Sequence, residues 1–276
     1  MRDLTKDRSL LAINSATVKP WTLEELVEGC VRAGITAIAP WRDIVQAAGV
    51  QKAGKLIRAG GLTVSCYCRA GLFPAADDAG RRAALDDNRR AVDEAAAIGA
   101  RSLVLIAGGL PKGSKDLAGA HRQVHDGIAA LLPYAREAGV PLAIEPLHPM
   151  YAADRACVNT LAHANDLCDQ LGDGVGLAVD VYHIWWDPDL AAQIARAGKR
   201  ILTYHVCDWL VPTRDLLLDR GMPGDGVIDL RSIRGMVEAT GYNGPIDVEI
   251  FSAQNWWKRE PSEVLRICLE RHQTVV

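Results

Sequence analysis

The feature that most limits what this chain can fold into is an alternation. Eight short apolar runs, at 10–16, 35–40, 62–67, 102–106, 141–145, 176–180, 201–206 and 246–250, are separated by stretches with helical periodicity. Runs that are apolar at nearly every position suit strands covered on both faces, as parallel sheets are. Intervening segments such as TLEELVEGCVRAG, AHRQVHDGIAALLPYAREAG and NTLAHANDLCDQLG place apolar residues on one helical face and end in Gly, a common helix stop. Eight strand-then-helix units, closed by a last helix near 262–272, predict an α/β fold: one (β/α)8 barrel over residues 1–276 with no second domain. An open doubly wound sheet would want a glycine fingerprint after the first strand, where INSATVKPW offers none. The glycine-rich stretch GGLPKGSK at 108–115 fails the phosphate-loop pattern, because Ser114 stands where Lys is required.

Charge narrows the partners. The formal net charge is -3 and the basic residues are dispersed, so nucleic acid is not expected as a partner. No run of 18 apolar residues suggests a membrane span, and the polar start MRDLTKDRSL lacks a secretory core, so a cytoplasmic location is expected. Seven cysteines without a C-x-x-C pair predict buried thiols, not a disulfide framework.

In a (β/α)8 barrel the site is built at the carboxyl ends of the strands. Four consecutive runs end on ligand-type residues: the fifth at Glu145 in PLAIEPLH, the sixth at Asp180 in VGLAVDVYH, the seventh at His205 in ILTYHVCD and the eighth at Glu249 in PIDVEIF. A single carboxylate there could be a helix cap or an arginine partner. Four in succession converge on one side of the mouth, where a shared cation would relieve the cost of burying them. Three carboxylates and an imidazole suit one Mn²⁺, with Mg²⁺ or Co²⁺ as substitutes, and leave positions open for substrate oxygens.

At these residues the chain resembles the xylose isomerase-like TIM barrel superfamily of sugar isomerases and epimerases, which includes ketose 3-epimerases and inosose-processing enzymes. The resemblance spans nearly the whole chain. It is carried by the Glu, Asp, His, Glu series, by the H-x-x-D step at His205 and Asp208, and by GDGVIDLRSI at 224–233. It implies that Glu145, Asp180, His205 and Glu249 bind a divalent metal, often Mn²⁺, and that Glu145 and Glu249 also move protons on opposite faces of the substrate. The chemistry is consistent, since a proton beside a carbonyl becomes removable only if the developing enediolate oxygen is stabilised.

A second tier surrounds the quartet. His148, three residues past Glu145, is a candidate proton carrier. Arg42, Arg69, His183, Asp208, Arg214 and Trp186 are candidate substrate-binding residues, and the superfamily counterpart of His183 touches substrate. Six tryptophans just beyond strand ends could form a stacking rim or pack structurally. With the apolar loop LFPAAD at 72–77, they also suggest a homo-oligomer, dimer or tetramer.

The leading reading is a metal-dependent isomerase or epimerase of a small sugar or keto-sugar. A metal-dependent lyase or dehydratase acting by β-elimination on an inosose or 3-keto-glycoside stands second, with His148 as its acid or base. A metal-dependent endonuclease is weaker, wanting more ligands and a positive surface. A non-catalytic sugar-binding subunit would not need the paired glutamates.

Overall fold

The computed structural model describes residues 1–276. The strands are β1 (Leu11–Asn14), β2 (Ala37–Ala39), β3 (Thr63–Val64), β4 (Tyr67–Gly71), β5 (Leu103–Ile106), β6 (Leu142–Glu145), β7 (Val175–Asp180), β8 (Ile201–Val206), β9 (Asp208–Trp209), β10 (Arg220–Gly221) and β11 (Ile246–Val248). All but β9 and β10 join one parallel sheet in the order β3-β2-β1-β11-β8-β7-β6-β5-β4. Its two edges, β3 and β4, are halves of the third expected strand, interrupted at Ser65 and Cys66. Ser65 and Cys68 donate to Ile38 and Pro40 on the β2 side, while Tyr67 donates to Ser102 and Arg101 donates to Val64 on the β5 side. The interrupted strand therefore bridges both edges and closes the barrel, as the eight runs predicted.

The helices are α1 (Leu23–Ala33), α2 (Arg42–Ala48), α3 (Val50–Ala59), α4 (Asp78–Ile98), α5 (Leu117–Glu137), α6 (Leu161–Leu171), α7 (Val181–Ile184), α8 (Leu190–Ala197), α9 (Leu230–Ala239) and α10 (Pro261–Thr274). Their starts are written locally. Thr22 and Glu25 form a reciprocal capping box at α1, and Asp77, Asp116, Thr160 and Asp229 cap α4, α5, α6 and α9 through their side chains. No helix is long and apolar enough to cross a membrane. All seven cysteines are buried and unbridged, as expected.

Register decides what meets at the mouth. Asp180 on β7 lies opposite His205 on β8, and His205 lies opposite Asp247 on β11, so His205 has an acidic neighbour on each side. Side chains alternate along a strand, so Thr203 and His205 face the same way, as do Asp247 and Glu249. The barrel thus carries two stacked polar layers, the quartet above and Thr203, Asp247 and Cys66 below.

The segment 207–229, between β8 and α9, turns back over the mouth through the β9–β10 hairpin. Asp208 clasps it by accepting hydrogen bonds from the backbone N–H groups of Trp209, Gly224 and Ile228. A Cβ on Gly226 would stand 2.2 Å from the Trp209 carbonyl oxygen, so the GDG step of the 224–233 motif lets the returning chain approach that closely.

Candidate metal and substrate site

The four quartet residues are all buried, and their ligand atoms lie within 4.8 Å of one another. Ligands placed 2.0–2.3 Å from one hard cation would have about this spread. His205 Nδ1 lies 3.4 Å from Glu145 Oε1 and 3.7 Å from Glu249 Oε2, so the two glutamates flank the imidazole. Its other nitrogen, Nε2, faces the lower layer at 3.1 Å from Thr203 Oγ1, 3.4 Å from Cys66 Sγ and 3.7 Å from Asp247 Oδ2. Acceptors at Nε2 hold the ring proton there and leave the Nδ1 lone pair facing the quartet. Asp180 divides its oxygens in a similar way: Oδ1 accepts from the Tyr182 N–H that opens α7, while Oδ2 turns inward.

Among the buried polar atoms without a hydrogen-bond partner are Glu145 Oε1 and His205 Nδ1. Both belong to the quartet, and an orphaned acceptor pair at its centre fits a cation. Charge agrees. Three carboxylates face one buried guanidinium, that of Arg220, which leaves two negative charges for a dication to balance.

The sequence reading missed Arg220. Its Nη1 lies 3.0 Å from Asp180 Oδ2 and 3.2 Å from Glu249 Oε2, its Nη2 lies 3.2 Å from His183 Nε2, and the guanidinium packs over the rings of Tyr182 and Phe251. Nothing local marks an arginine 14 residues past the end of barrel strand β8; only the returning hairpin brings it in. Asn14 and Trp41, also unremarked as ligand partners, donate to Glu249 Oε1 at 3.0 and 3.3 Å. Alternation along PIDVEIF could have found Asp247, two residues before Glu249 and on the same face.

The two glutamates are held unequally. Burial pushes the Glu145 carboxyl up from its ordinary range, only partly offset by His205. Burial acts the same way on Glu249, but His205 and the Arg220 guanidinium outweigh it and hold that group below the usual carboxylate range.

Glu145 and Glu249 of the quartet floor a cavity of about 510 Å³, within the range of small-molecule sites. Glu145, Glu249, His183, Arg220 and Arg69 line it together with Trp41 and Phe251, and Leu72, Ile106, Leu147 and Leu217 give it an apolar wall. Burial drives the His183 pKa down to about 3, so the ring is neutral. The His148 backbone N–H donates to His183 Nδ1, while Nε2 faces the Arg220 guanidinium at 3.2 Å and Asp180 Oδ2 at 3.6 Å.

Several expected substrate contacts lie elsewhere. Arg42, the first residue of α2, forks onto Asp87 and Glu94 of α4 and ties two helices together instead of reaching the cavity. Arg214 pairs with Asp219 inside the segment that carries Arg220. Asp208 spends its oxygens on the backbone clasp already described. Trp186 donates to the His183 carbonyl at 2.8 Å and is not a cavity wall. His148 is stacked on Trp209 at 5.0 Å, and its Nδ1 accepts from the Met150 N–H, so the expected proton carrier is instead a support for His183. Of the six tryptophans, Trp41 lines the cavity, while Trp256 and Trp257 spend their indole N–H groups on Asp225, Ala16 and Ile250. In the 72–77 loop Phe73 is buried against Gly127, which removes much of the apolar area that suggested self-association.

Residues 27–268 match the sequence profile of the xylose isomerase-like TIM barrel family. The chain belongs to that family. Among solved members of similar fold, a protein from Sinorhizobium meliloti 1021 is 62% identical, with a TM-score of 0.96 over 98% of this chain and 99% of that one. The IOLI protein, solved with a bound zinc atom, has a TM-score of 0.83 at 20% identity over 96% of this chain and 97% of its own, a likeness of fold. A curated relative, inosose isomerase of Bacillus velezensis, is 30% identical over 158 residues, 54% of this chain and 53% of that protein. The match thus spans about half the length of that relative.

Proposed function

We propose that this chain is a divalent-metal-dependent isomerase or epimerase of a small sugar or keto-sugar, moving a proton on a carbon beside a carbonyl. The observation that carries the reading is the convergence of Glu145 and Glu249, from strands three positions apart in the sheet, on the floor of one cavity, both within one cluster of four metal-type ligands. Relatives named inosose isomerase support the same class of reaction.

Glu145, Asp180, His205 and Glu249 would hold the ion. A bound divalent ion would supply positive charge where the substrate carbonyl oxygen becomes negative. Glu145, with an oxygen free of hydrogen bonds, is the better placed base, while Glu249 is fixed by Asn14, Trp41 and Arg220. In this reading Glu145 removes the proton from one face and Glu249 serves the other. The neutral His183 ring and the Arg220 guanidinium orient the substrate oxygens, and the apolar wall limits the access of water. Elimination is the weaker reading here, because His148, its expected acid, is turned into a tryptophan stack.

The test is incubation of metal-loaded protein with inososes, ketoses and 3-keto-glycosides in D₂O, followed by NMR. Deuterium should enter one carbon of an isomerised product. Glu145→Gln and Glu249→Gln should each turn over about a hundredfold more slowly with substrate affinity little changed. Near wild-type rates in both variants would remove the glutamates from the chemistry, and products that have lost water would assign the lyase reading.

A further inference from the structure

The arginines around the mouth divide into two kinds. Arg42, Arg214 and Arg220 are all spent on carboxylates. Arg69, at the end of the third barrel strand, and Arg155, in the segment after β6, both line the central cavity, and neither guanidinium makes a hydrogen bond or an ion pair with the protein. Arg69 is half-buried beside the face of Trp41, with its charged carbon 6.0 Å from the ring centre, and Arg155 lies 5.5 Å from the centre of Tyr151. Burial lowers the Arg69 pKa, and the nearby positive charge of Arg155 lowers it further. Two like charges are thus held near one another around one cavity with their donors unspent. Asp154 also lines the rim but pairs with neither.

The rest of the lining points the same way. It contains no Asn, Gln, Ser or Thr, and Tyr151 is its one hydroxyl-bearing side chain able both to donate to and to accept from neutral hydroxyls. Away from the quartet, the charged groups of the lining that no partner claims are Arg69 and Arg155 against the single acid Asp154. Planar guanidiniums are suited to carboxylate and phosphate oxygens, and such charge-assisted bonds are roughly twice as strong as neutral ones.

We propose that the substrate carries an acid group, a carboxylate or a phosphate, clamped between Arg69 and Arg155 while its reacting carbon lies over Glu145 and Glu249. This rests on the isomerase reading only for what happens at the reacting carbon; the anion clamp stands on the two unpaired arginines. The position of the clamp would fix the substrate end to end, so that one carbon alone is presented to the glutamates.

The test is calorimetric titration of Mg²⁺-loaded protein, as wild type, Arg69→Met and Arg155→Met, at fixed ionic strength. The probes are inorganic phosphate, D-gluconate and the neutral polyol myo-inositol. At least one anion should bind the wild type and weaken by about tenfold or more in each variant, whereas myo-inositol binding should not change. Binding of gluconate alone would assign a sugar acid, and binding of phosphate alone a phosphate ester. Arg155 is exposed, so Arg155→Met decides the matter even if Arg69→Met does not fold. No binding of either anion, or anion binding unaltered by the substitutions, overturns the clamp, even if neutral inososes exchange deuterium normally. Arginine-dependent anion binding with no deuterium exchange in any ketose or keto-acid would leave the clamp standing and overturn the isomerase reading instead.

Discussion

Replacing Arg220 with Met removes a buried guanidinium while keeping an unbranched apolar stem. In the absence of metal, Asp180 Oδ2 and Glu249 Oε2 lose a shared partner 3.0 and 3.2 Å away, and the faces of Tyr182 and Phe251 lose a cation. Breaking a buried ion pair from one side costs about 3–5 kcal/mol, mostly because the remaining charge is left without compensation. At about 2 °C per kcal/mol for a chain of this length, Tm in chelator should fall by roughly 6–10 °C. A dication supplies the missing positive charge, so in saturating Mn²⁺ the deficit should shrink to roughly half or less. Arg220→Lys, which keeps the charge but not the fork, should fall between the two proteins. Differential scanning fluorimetry with EDTA and with Mn²⁺ reads all three. A loss under about 2 °C in EDTA, or a deficit that metal leaves unchanged, would refute the view that Arg220 neutralises the same carboxylates that the ion occupies.

Purified protein should carry about one divalent ion per chain, and Asp180→Ala and His205→Ala should lower metal content more than Glu145→Gln or Glu249→Gln does; equal content by elemental analysis in all four variants would dissolve the quartet. Arg42→Met should cost about 1–3 kcal/mol of stability in denaturant titration and leave KM for the substrate unchanged, since its fork serves Asp87 and Glu94; a rise in KM with stability intact would return Arg42 to the substrate. Burial holds the His272 pKa at about 4, below the ordinary histidine value of about 6.5, so its contribution is complete above about pH 6.5 and is lost as pH falls toward 4. His272→Leu should therefore lose Tm less steeply than wild type across that window, by the equivalent of about 2–3 kcal/mol, and parallel profiles would contradict it.

The barrel was legible because its determinants are local. A run of β-branched and apolar residues, a helical stripe and a capping residue each act within one or two turns of chain, and they recur eight times. The quartet was legible for a related reason: parallel strands bring their carboxyl ends to one side, so four ligand-type residues at four successive strand ends must face one another wherever the barrel closes. Even the buried Asp247 follows from alternation along one strand. The sequence could not say which arginines are free. Arg42 and Arg214 follow apolar strand-like runs in the sequence as Arg69 does, yet Asp87, Glu94 and Asp219 claim them, and those partners depend on how helices pack and how a segment folds back. Arg220 reaches the floor of the cavity only because Asp208 clasps the returning hairpin, and His148 is turned out of the cavity by a stack with Trp209. Charge pairing and ring stacking act through space across residues far apart in sequence, so pattern and spacing fixed where the site would form, and tertiary packing alone decided which charged groups remain available to a ligand.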